Sequence, residues 1–144
     1  MKALSPSQAH YLKAVYELSF ASDGSVRVRD IADKLDLSKA SVSLAMSKLE
    51  KETLVQKDEH RHIRLTPDGE QQVVLMMGKR NVLQQFLIKV LGVEEEIAAA
   101  DACAMEHIIS VDTLCSLCRR TRYVTQKNPC AGGCPVPQKE LSQR

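Results

Sequence analysis

The sequence predicts a mainly α-helical protein that also contains one short β-hairpin. Apolar residues recur at three- and four-residue spacings along most of the chain, which is the periodicity of helices with one buried face. The alternation typical of strands is confined to short stretches in the first half. With 144 residues, 44% of them hydrophobic and 26% charged, the chain can form one domain, or a small domain with an attached assembly module.

The first helix is predicted to begin at Ser5-Pro6. Ser5 and Gln8 match a capping box, and proline occupies the first helical position. The apolar residues that then repeat at helical spacing are Tyr11, Leu12, Val15 and Leu18. Asp23-Gly24 is a turn signal that ends this helix.

Two further helices and a hairpin are predicted before residue 66. Val26 and Val28 alternate with arginines, which indicates a short extended stretch. The apolar residues of the short second helix are Ile31, Ala32 and Leu35. After a turn at residues 36–38, the third helix begins at Ser38 or Lys39. Its predicted buried residues are Val42, Ala45, Met46 and Leu49. Apolar residues 54–55 and 63–65 then flank a polar hairpin at residues 57–62.

The second half is predicted to contain longer helices. Thr66-Pro67 begins a helix that runs towards Leu91 and is stopped by Gly92. Residues 94–110 again have helical periodicity, and another helix is predicted to begin near Ser110. After residue 123 the periodic apolar pattern is lost, and proline, glycine and cysteine dominate.

The order of short helix, turn, helix and hairpin is typical of a winged helix-turn-helix, whose second helix enters the major groove of DNA. Small hydroxyl side chains allow close approach to the bases, and lysine and arginine attract phosphates. The candidate DNA-binding residues are Arg27, Arg29, Ser38, Lys39, Ala40, Ser41, Ser43, Ser47, Lys48, Arg61, His62 and Arg64. The alternative for each residue is an ordinary solvated surface. Leu44 either contacts a thymine methyl group or packs in the core.

A candidate metal site lies in the second half. Cys103, Glu106 and His107 have the spacing i, i+3 and i+4, which places them on one face of a helix. A thiolate, a carboxylate and an imidazole together suit a transition metal. The alternative is a buried cysteine beside a solvated Glu-His pair.

Five segments of the chain resemble the diphtheria-toxin-repressor family of iron- and manganese-dependent transcriptional repressors. They are residues 7–18, 31–43, 63–69, 86–93 and 102–110. The resemblance covers roughly residues 5–118, and the Cys-x-x-Glu-His segment is its most specific part. It implies a homodimer in which a winged helix is joined by a long helix to a helical metal-binding and dimerisation domain. The length is similar to that of short members that lack an SH3-like domain.

The resemblance also implies a ligand set. Cys103, Glu106 and His107 fall on the family's metal-binding motif, and His10 falls where the family has a ligand from the DNA-binding domain. Methionine or aspartate is usual at that position, so His10 is a departure. Lys13 stands where manganese-type members have a carboxylate. Because a thiolate favours softer metals, this set favours Fe(II), with Zn(II), Co(II) and Mn(II) as alternatives.

The family's ancillary metal site is not preserved here. Arg80 and Gln84 occupy positions where the family has histidine and glutamate, and Ala99 replaces another histidine. We expect Arg80 to supply a positive charge where that metal would lie.

Four cysteines form a separate pattern near the C-terminus. Cys115 and Cys118 are followed, after eleven residues, by Cys130 and then Cys134. Two close pairs separated by a loop are typical of a four-cysteine metal site. The spacing leaves open a structural Zn(II), an iron–sulfur cluster, and thiols or disulfides in a disordered basic tail.

We therefore expect three segments and a non-enzymatic function. These are a DNA-binding domain at residues 1–66, a long helix with the metal-binding and dimerisation domain at 67–122, and a cysteine-containing tail at 123–144. The expected function is metal-activated repression by a homodimer on a palindromic double-stranded operator. One rival is a redox or iron–sulfur regulator that senses through the tail cysteines. Another is a thiol enzyme or metal-storage protein without a DNA role.

The chain has no apolar secretory core near its N-terminus and no run of about 18 apolar residues. We expect a cytoplasmic protein without a membrane segment. In such a reducing compartment, the five cysteines are better explained as metal ligands or thiols than as disulfides.

Overall fold

The structure is a computed structural model that describes residues 4–130. These residues form six helices and a two-stranded sheet, which confirms the mainly α-helical class. The elements are α1 (Pro6–Ala21), α2 (Val28–Leu35), α3 (Lys39–Lys51), β1 (Val55–Lys57), β2 (Ile63–Leu65), α4 (Pro67–Lys89), α5 (Glu95–Met105) and α6 (Val111–Thr125). The chain divides within α4, after Val73, into two compact units, which we call the N-terminal unit and the C-terminal unit.

The N-terminal unit begins with the capping box that the sequence predicts. The Ser5 side chain accepts a hydrogen bond from the Gln8 amide at 3.3 Å, and the Gln8 side chain accepts one from the Ser5 amide at 3.0 Å. These bonds satisfy amide groups that have no partner within the helix. The first helix therefore starts at Pro6, as expected.

The predicted extended stretch at Val26 and Val28 is only half correct. Val26 is extended and accepts a hydrogen bond from the Ile63 amide at 2.7 Å, so it extends the sheet by one bridge. Val28, however, is the first residue of α2. The Asp30 carboxylate accepts a hydrogen bond from the Arg27 amide at 2.8 Å, which stabilises a helix start that the alternating valines obscure.

The core of the N-terminal unit joins its three helices to the hairpin. Asp36 adopts a left-handed conformation at the end of α2, and Ser38 caps α3 by accepting from the Ser41 amide at 3.1 Å. The two strands pair antiparallel, with Gln56 opposite Arg64. The largest fully buried side chains of this core are Leu12, Val15, Val26, Ile31, Val42, Met46, Leu49, Val55, Ile63 and Val73.

Gly69 fixes the start of α4 against the hairpin. A Cβ atom at this position would collide with the carbonyl oxygen of Leu54, which already accepts a hydrogen bond from the Thr66 amide at 3.1 Å. The Gly69 amide in turn donates to the Thr66 hydroxyl at 3.1 Å. Only glycine therefore allows this close approach of the helix to the backbone just before β1.

Gly69→Ala should lower the free energy of unfolding by about 2–3 kcal/mol, because the backbone must move to admit the methyl group. Urea denaturation followed by circular dichroism measures this loss. Gly92→Ala is the matched control, since Gly92 has a φ of +72° but nothing near its missing Cβ. It should cost only about 1–2 kcal/mol of conformational strain. A smaller loss of stability in Gly69→Ala than in Gly92→Ala would contradict the close backbone contact described at Gly69.

The C-terminal unit is a helical cluster. Its α4 segment ends at Lys89, close to the predicted Leu91, and Gly92, the predicted stop, follows with a φ of +72°. Ser110 caps α6, as expected, by accepting from the Thr113 amide at 3.3 Å. The buried residues of this core are Val82, Leu83, Ala102, Leu114 and Cys130. No helix in residues 4–130 is long and apolar enough to cross a membrane.

The predicted helical run over residues 94–110 is wrong at its C-terminal end. Helix α5 ends at Met105, and residues 106–108 form a turn. The amides of Ile108 and Ile109 both donate to the Met105 carbonyl, at 3.1 and 3.0 Å. This tightening redirects the chain towards Ser110, where the next helix begins.

Candidate nucleic-acid interface and metal centre

One face of α3 is exposed and carries small or basic side chains. Val42, Met46 and Leu49 are buried on the opposite face. The exposed members of the predicted set on this helix and at its cap are Ser38, Lys39, Ala40, Ser41, Ser43 and Lys48. Leu44 is 76% exposed and does not pack in the core, so it joins this surface. We call this surface the α3 face.

Some serine side chains on and beside the α3 face form hydrogen bonds within the helix. Ser47 is half-buried, and its hydroxyl donates to the Ser43 carbonyl at 3.0 Å. The Ser38 hydroxyl donates to the Ser41 hydroxyl at 2.8 Å while it caps the helix. Ser43 and the two lysines therefore remain more accessible to an external partner than Ser47.

Basic side chains surround the hairpin. Arg27, Arg61 and Arg64 are exposed, and Arg61 has a φ of +61° in the turn between the strands. The Arg27 guanidinium lies 3.4 Å from the His62 imidazole. Arg29 is also exposed, and its guanidinium lies 3.4 Å from the Asp30 carboxylate.

The hairpin turn is organised by Asp58, a residue that sequence reasoning missed. Its carboxylate accepts hydrogen bonds from the amides of His60 and His62, at 2.9 and 2.8 Å, and lies 3.0 Å from the His62 ring. Desolvation opposes ionisation of Asp58, but these bonds outweigh it and lower the pKa of the carboxyl. The His62 side chain is only 15% exposed, which suits a supporting role in the turn.

Asp58→Asn should destabilise the hairpin at neutral pH but not in acid. Because folding lowers the pKa of Asp58, its carboxylate stabilises the fold above the unfolded-state pKa. That contribution is lost as the pH falls through the folded-state pKa. Urea denaturation of wild type and variant should therefore differ at pH 7 and converge well below about pH 4.

Glu59→Gln provides the control for this comparison, since Glu59 is an exposed neighbour in the same turn. The free energy of unfolding of Glu59→Gln should differ little from that of the wild type at both pH values. If Asp58→Asn cost as much in acid as at neutral pH, the stabilisation would not come from the ionised carboxylate.

In the C-terminal unit, Glu106 and His107 are neighbours in a largely buried position. Their side chains are only 2% and 11% exposed, and Glu106 Oε1 lies 3.5 Å from His107 Nε2. Cys103 is half-buried one turn earlier on α5. Burying a carboxylate is costly unless it is balanced by a proton, a donor or a cation, so this pair suits a cation ligand set.

The described residues do not by themselves complete a metal site. Within residues 4–130, no group of three His, Cys, Asp or Glu side chains is arranged to hold a metal ion. The chemistry of Cys103, Glu106 and His107 nevertheless fits a divalent transition metal. His10 belongs to the N-terminal unit and is exposed on α1.

Two of the residues at the ancillary-site positions, Arg80 and Ala99, are in polar contact. The Arg80 guanidinium donates to the Ala99 carbonyl at 3.5 Å, and both residues are half-buried in the C-terminal unit. Gln84, one turn further along α4, is also half-buried. A cationic side chain thus lies beside two positions at which the resemblance implies metal ligands in other members.

The tail cysteines are partly described. Cys115 and Cys118 lie on α6, and Cys130 is buried in the loop that follows. The sulfur atoms of Cys118 and Cys130 are 3.3 Å apart. Cys134, the fourth predicted ligand, lies outside the described residues.

The helices, hairpin and α3 face of the N-terminal unit define a winged-helix DNA-binding protein. Two family models cover almost the whole chain. Residues 3–63 match the iron-dependent repressor N-terminal DNA-binding domain, and residues 66–137 match the iron-dependent repressor metal-binding and dimerisation domain. The chain therefore belongs to the iron-dependent repressor family, whose members are transcriptional repressors and not enzymes.

Curated relatives of this family include proteins of two lengths. The chain is 32% identical over 112 residues to the iron-dependent repressor IdeR of Mycobacterium tuberculosis, covering 78% of this chain but 48% of the relative. It is 32% identical over 127 residues to the HTH-type transcriptional regulator MntR of Lysinibacillus sphaericus, covering 86% and 87%. The chain thus spans about half the length of the IdeR-type relatives and most of the length of MntR.

A solved structure supports the same architecture. The structure of ScaR with bound Zn²⁺ superposes with a TM-score of 0.73 at 27% identity, covering 91% of this chain and 60% of that chain. The predicted winged-helix and helical-domain architecture is therefore confirmed.

Proposed function

We propose that this chain is a metal-activated transcriptional repressor that binds a palindromic double-stranded operator as a homodimer. The observation that carries the proposal is the α3 face, a solvent-facing surface of small and basic side chains on the second helix of a winged helix-turn-helix. The matches to a DNA-binding domain and to a metal-binding and dimerisation domain support the same function. Operator DNA as the partner implies action in the cytoplasm.

In this proposal, the α3 face enters the major groove and the basic hairpin contacts the flanking backbone. Ser43 and Leu44 are placed to approach base edges, because small polar groups hydrogen-bond to bases and an apolar group contacts the thymine methyl. Lys39, Lys48 and Arg64 are exposed and would neutralise phosphates. A homodimer would present two such units to two half-sites.

The proposed metal ligands are Cys103, Glu106 and His107, together with His10, which the resemblance implies. A divalent cation, when bound, supplies the positive charge that the buried Glu106 carboxylate favours. The Cys103 thiolate shifts preference from Mn(II) towards Fe(II), while Co(II) and Zn(II) also suit a mixed thiolate, imidazole and carboxylate set. ScaR has been solved with bound Zn²⁺ and with bound Cd²⁺, which supports binding of more than one divalent metal by repressors of this kind.

The deciding experiment is an operator titration under anaerobic conditions with Fe(II), with Mn(II), and without added metal. We expect metal to raise operator affinity by about 5- to 150-fold, the usual range for coupling between two sites. Metal-free protein should retain weaker, salt-sensitive DNA binding through its basic side chains. Equal affinity in all three conditions would contradict the proposal.

A further inference from the structure

We propose that His62 is a positioning residue that holds the Arg27 side chain ready to contact a DNA phosphate. The inference rests on the proposed function, because it concerns the hairpin side of the DNA-binding surface. Its basis is a series of contacts within the N-terminal unit. The Arg27 guanidinium lies 3.4 Å from His62 Nε2, and His62 Nδ1 lies 3.0 Å from the Asp58 carboxylate. The imidazole therefore connects the exposed arginine to the carboxylate that organises the turn.

The backbone places Arg27 directly beside His62. Val26 and Ile63 form an antiparallel bridge, in which the Ile63 amide donates to the Val26 carbonyl at 2.7 Å. In such a bridge the next residue of one segment faces the preceding residue of the other, so Arg27 and His62 are cross-strand neighbours. The Arg27 backbone is also fixed by its amide, which donates to the Asp30 carboxylate at 2.8 Å. His62 then restricts the long side chain that remains.

One assignment of hydrogen atoms satisfies both contacts of the His62 ring. The Asp58 carboxylate holds this residue at two points, since it also accepts from the His62 amide at 2.8 Å. An ionised carboxylate only accepts hydrogen bonds, and a guanidinium only donates them. His62 Nδ1 must therefore carry the hydrogen that is donated to Asp58, and Nε2 must accept from Arg27. These roles belong to neutral histidine in its Nδ1–H form, because a second hydrogen on Nε2 would face the guanidinium.

Holding the guanidinium in place lowers the cost of binding DNA. An arginine side chain loses conformational freedom when it contacts a phosphate, and a side chain that is already ordered loses less. Arginine has five N–H donors, so four remain for a phosphate when one is donated to His62. Of the three charged side chains in this series of contacts, Arg27 and Arg64 are exposed cations. Asp58 is the one anion, and it lies 3.7 Å from the Arg64 guanidinium. The balance of charge favours a phosphate.

The hydrogen assignment can be tested without DNA. In the unmutated chain with isotope-labelled histidine, long-range hydrogen–nitrogen NMR correlation spectra at about pH 8, where histidine is usually neutral, distinguish the two ring forms. We expect the Nδ1–H form at His62, whose signals are assigned by their loss in His62→Phe. His60→Phe is the matched control, since His60 is an exposed histidine in the same turn, and it should leave these signals in place. An Nε2–H form at His62 would overturn the proposal.

A second experiment tests whether His62 acts through Arg27. Binding of the metal-free chain to a fluorescein-labelled DNA duplex of arbitrary sequence is measured by anisotropy at low salt, because phosphate contacts do not depend on sequence. His62→Phe should weaken binding by about 2- to 10-fold, the usual value of one hydrogen bond. His62→Gln should restore part of this loss, since its side-chain oxygen can accept from Arg27. In an Arg27→Met background, His62→Phe should have no further effect.

The Arg27→Met background separates positioning from damage to the hairpin. If His62→Phe disordered the hairpin, the affinity would also fall in the Arg27→Met chain, and that result would overturn the proposal. It would equally be overturned by an Arg27→Met chain that binds the duplex as tightly as the wild type, or by a His62→Gln chain that binds as weakly as His62→Phe. A wild-type chain without salt-dependent affinity for the duplex would instead contradict the proposed function.

Discussion

Glu106→Gln should abolish the metal-dependent gain in operator affinity. The Glu106 side chain is 2% exposed and lies 3.5 Å from the His107 ring, so its negative charge has little solvent to stabilise it. Glutamine preserves the size and one acceptor oxygen but removes the charge that a divalent cation requires. The metal-dependent increase of about 5- to 150-fold should therefore disappear, as measured by anaerobic operator titration with Fe(II).

Glu96→Gln is the matched control for this prediction. Glu96 is an exposed glutamate in the first turn of α5, and its loss changes the net charge by the same amount. It should leave the metal response intact. Metal-free Glu106→Gln should bind DNA as weakly as metal-free wild type, because the substitution removes the response and not the DNA surface. A normal metal response in Glu106→Gln would remove this residue from the ligand set.

Elements with a local stop or start signal could be predicted from the sequence. Ser5 and Gln8 form the expected capping box, Ser110 caps α6, and Gly92 has the positive φ that ends a helix. These signals act within four residues and depend little on the rest of the fold. Hydrophobic periodicity then fixed which faces of α1 and α3 are buried.

Elements without such a signal were placed less well. Helix α5 ends at Met105 although Ile108 and Ile109 continue an apolar pattern, because the chain must reach the cap of the next helix. The start of α2 depends on one hydrogen bond from the Arg27 amide to Asp30, which outweighs the strand preference of Val28. No glycine or proline marks either boundary.

The candidate site residues also divide into those that a local sequence pattern could predict and those that it could not. The sequence identified the chemistry of Cys103, Glu106 and His107, but spacing along a helix could not show that the chain turns between them. The role of Asp58 was detectable in principle, because in turns aspartate often accepts a hydrogen bond from the amide two residues later, as it does here from His60. The approach of Cys130 to Cys118 could not be detected from the sequence, because it depends on a hydrogen bond between Asn81 and Pro129, which are 48 residues apart.

Ser43→Glu should reduce specific operator binding almost to the level of non-specific DNA. Ser43 is exposed on the α3 face, next to the exposed Leu44, while the neighbouring Val42 is fully buried. A carboxylate there would meet the electronegative major groove and nearby phosphates, and its length would prevent close approach of the helix. We expect the specific affinity to fall by about 1,000-fold, the lower end of the usual ratio between specific and non-specific binding.

Ser116→Glu separates the effect of position from the effect of charge. Ser116 is an exposed serine on α6 in the C-terminal unit, so its replacement changes the net charge equally without altering the α3 face. Fluorescence anisotropy with operator and scrambled duplexes, at two salt concentrations, should show near wild-type affinity for this control. Circular dichroism should show both variants folded, because glutamate is a good helix former. If Ser43→Glu bound operator as tightly as Ser116→Glu, the α3 face would not be the surface that reads DNA.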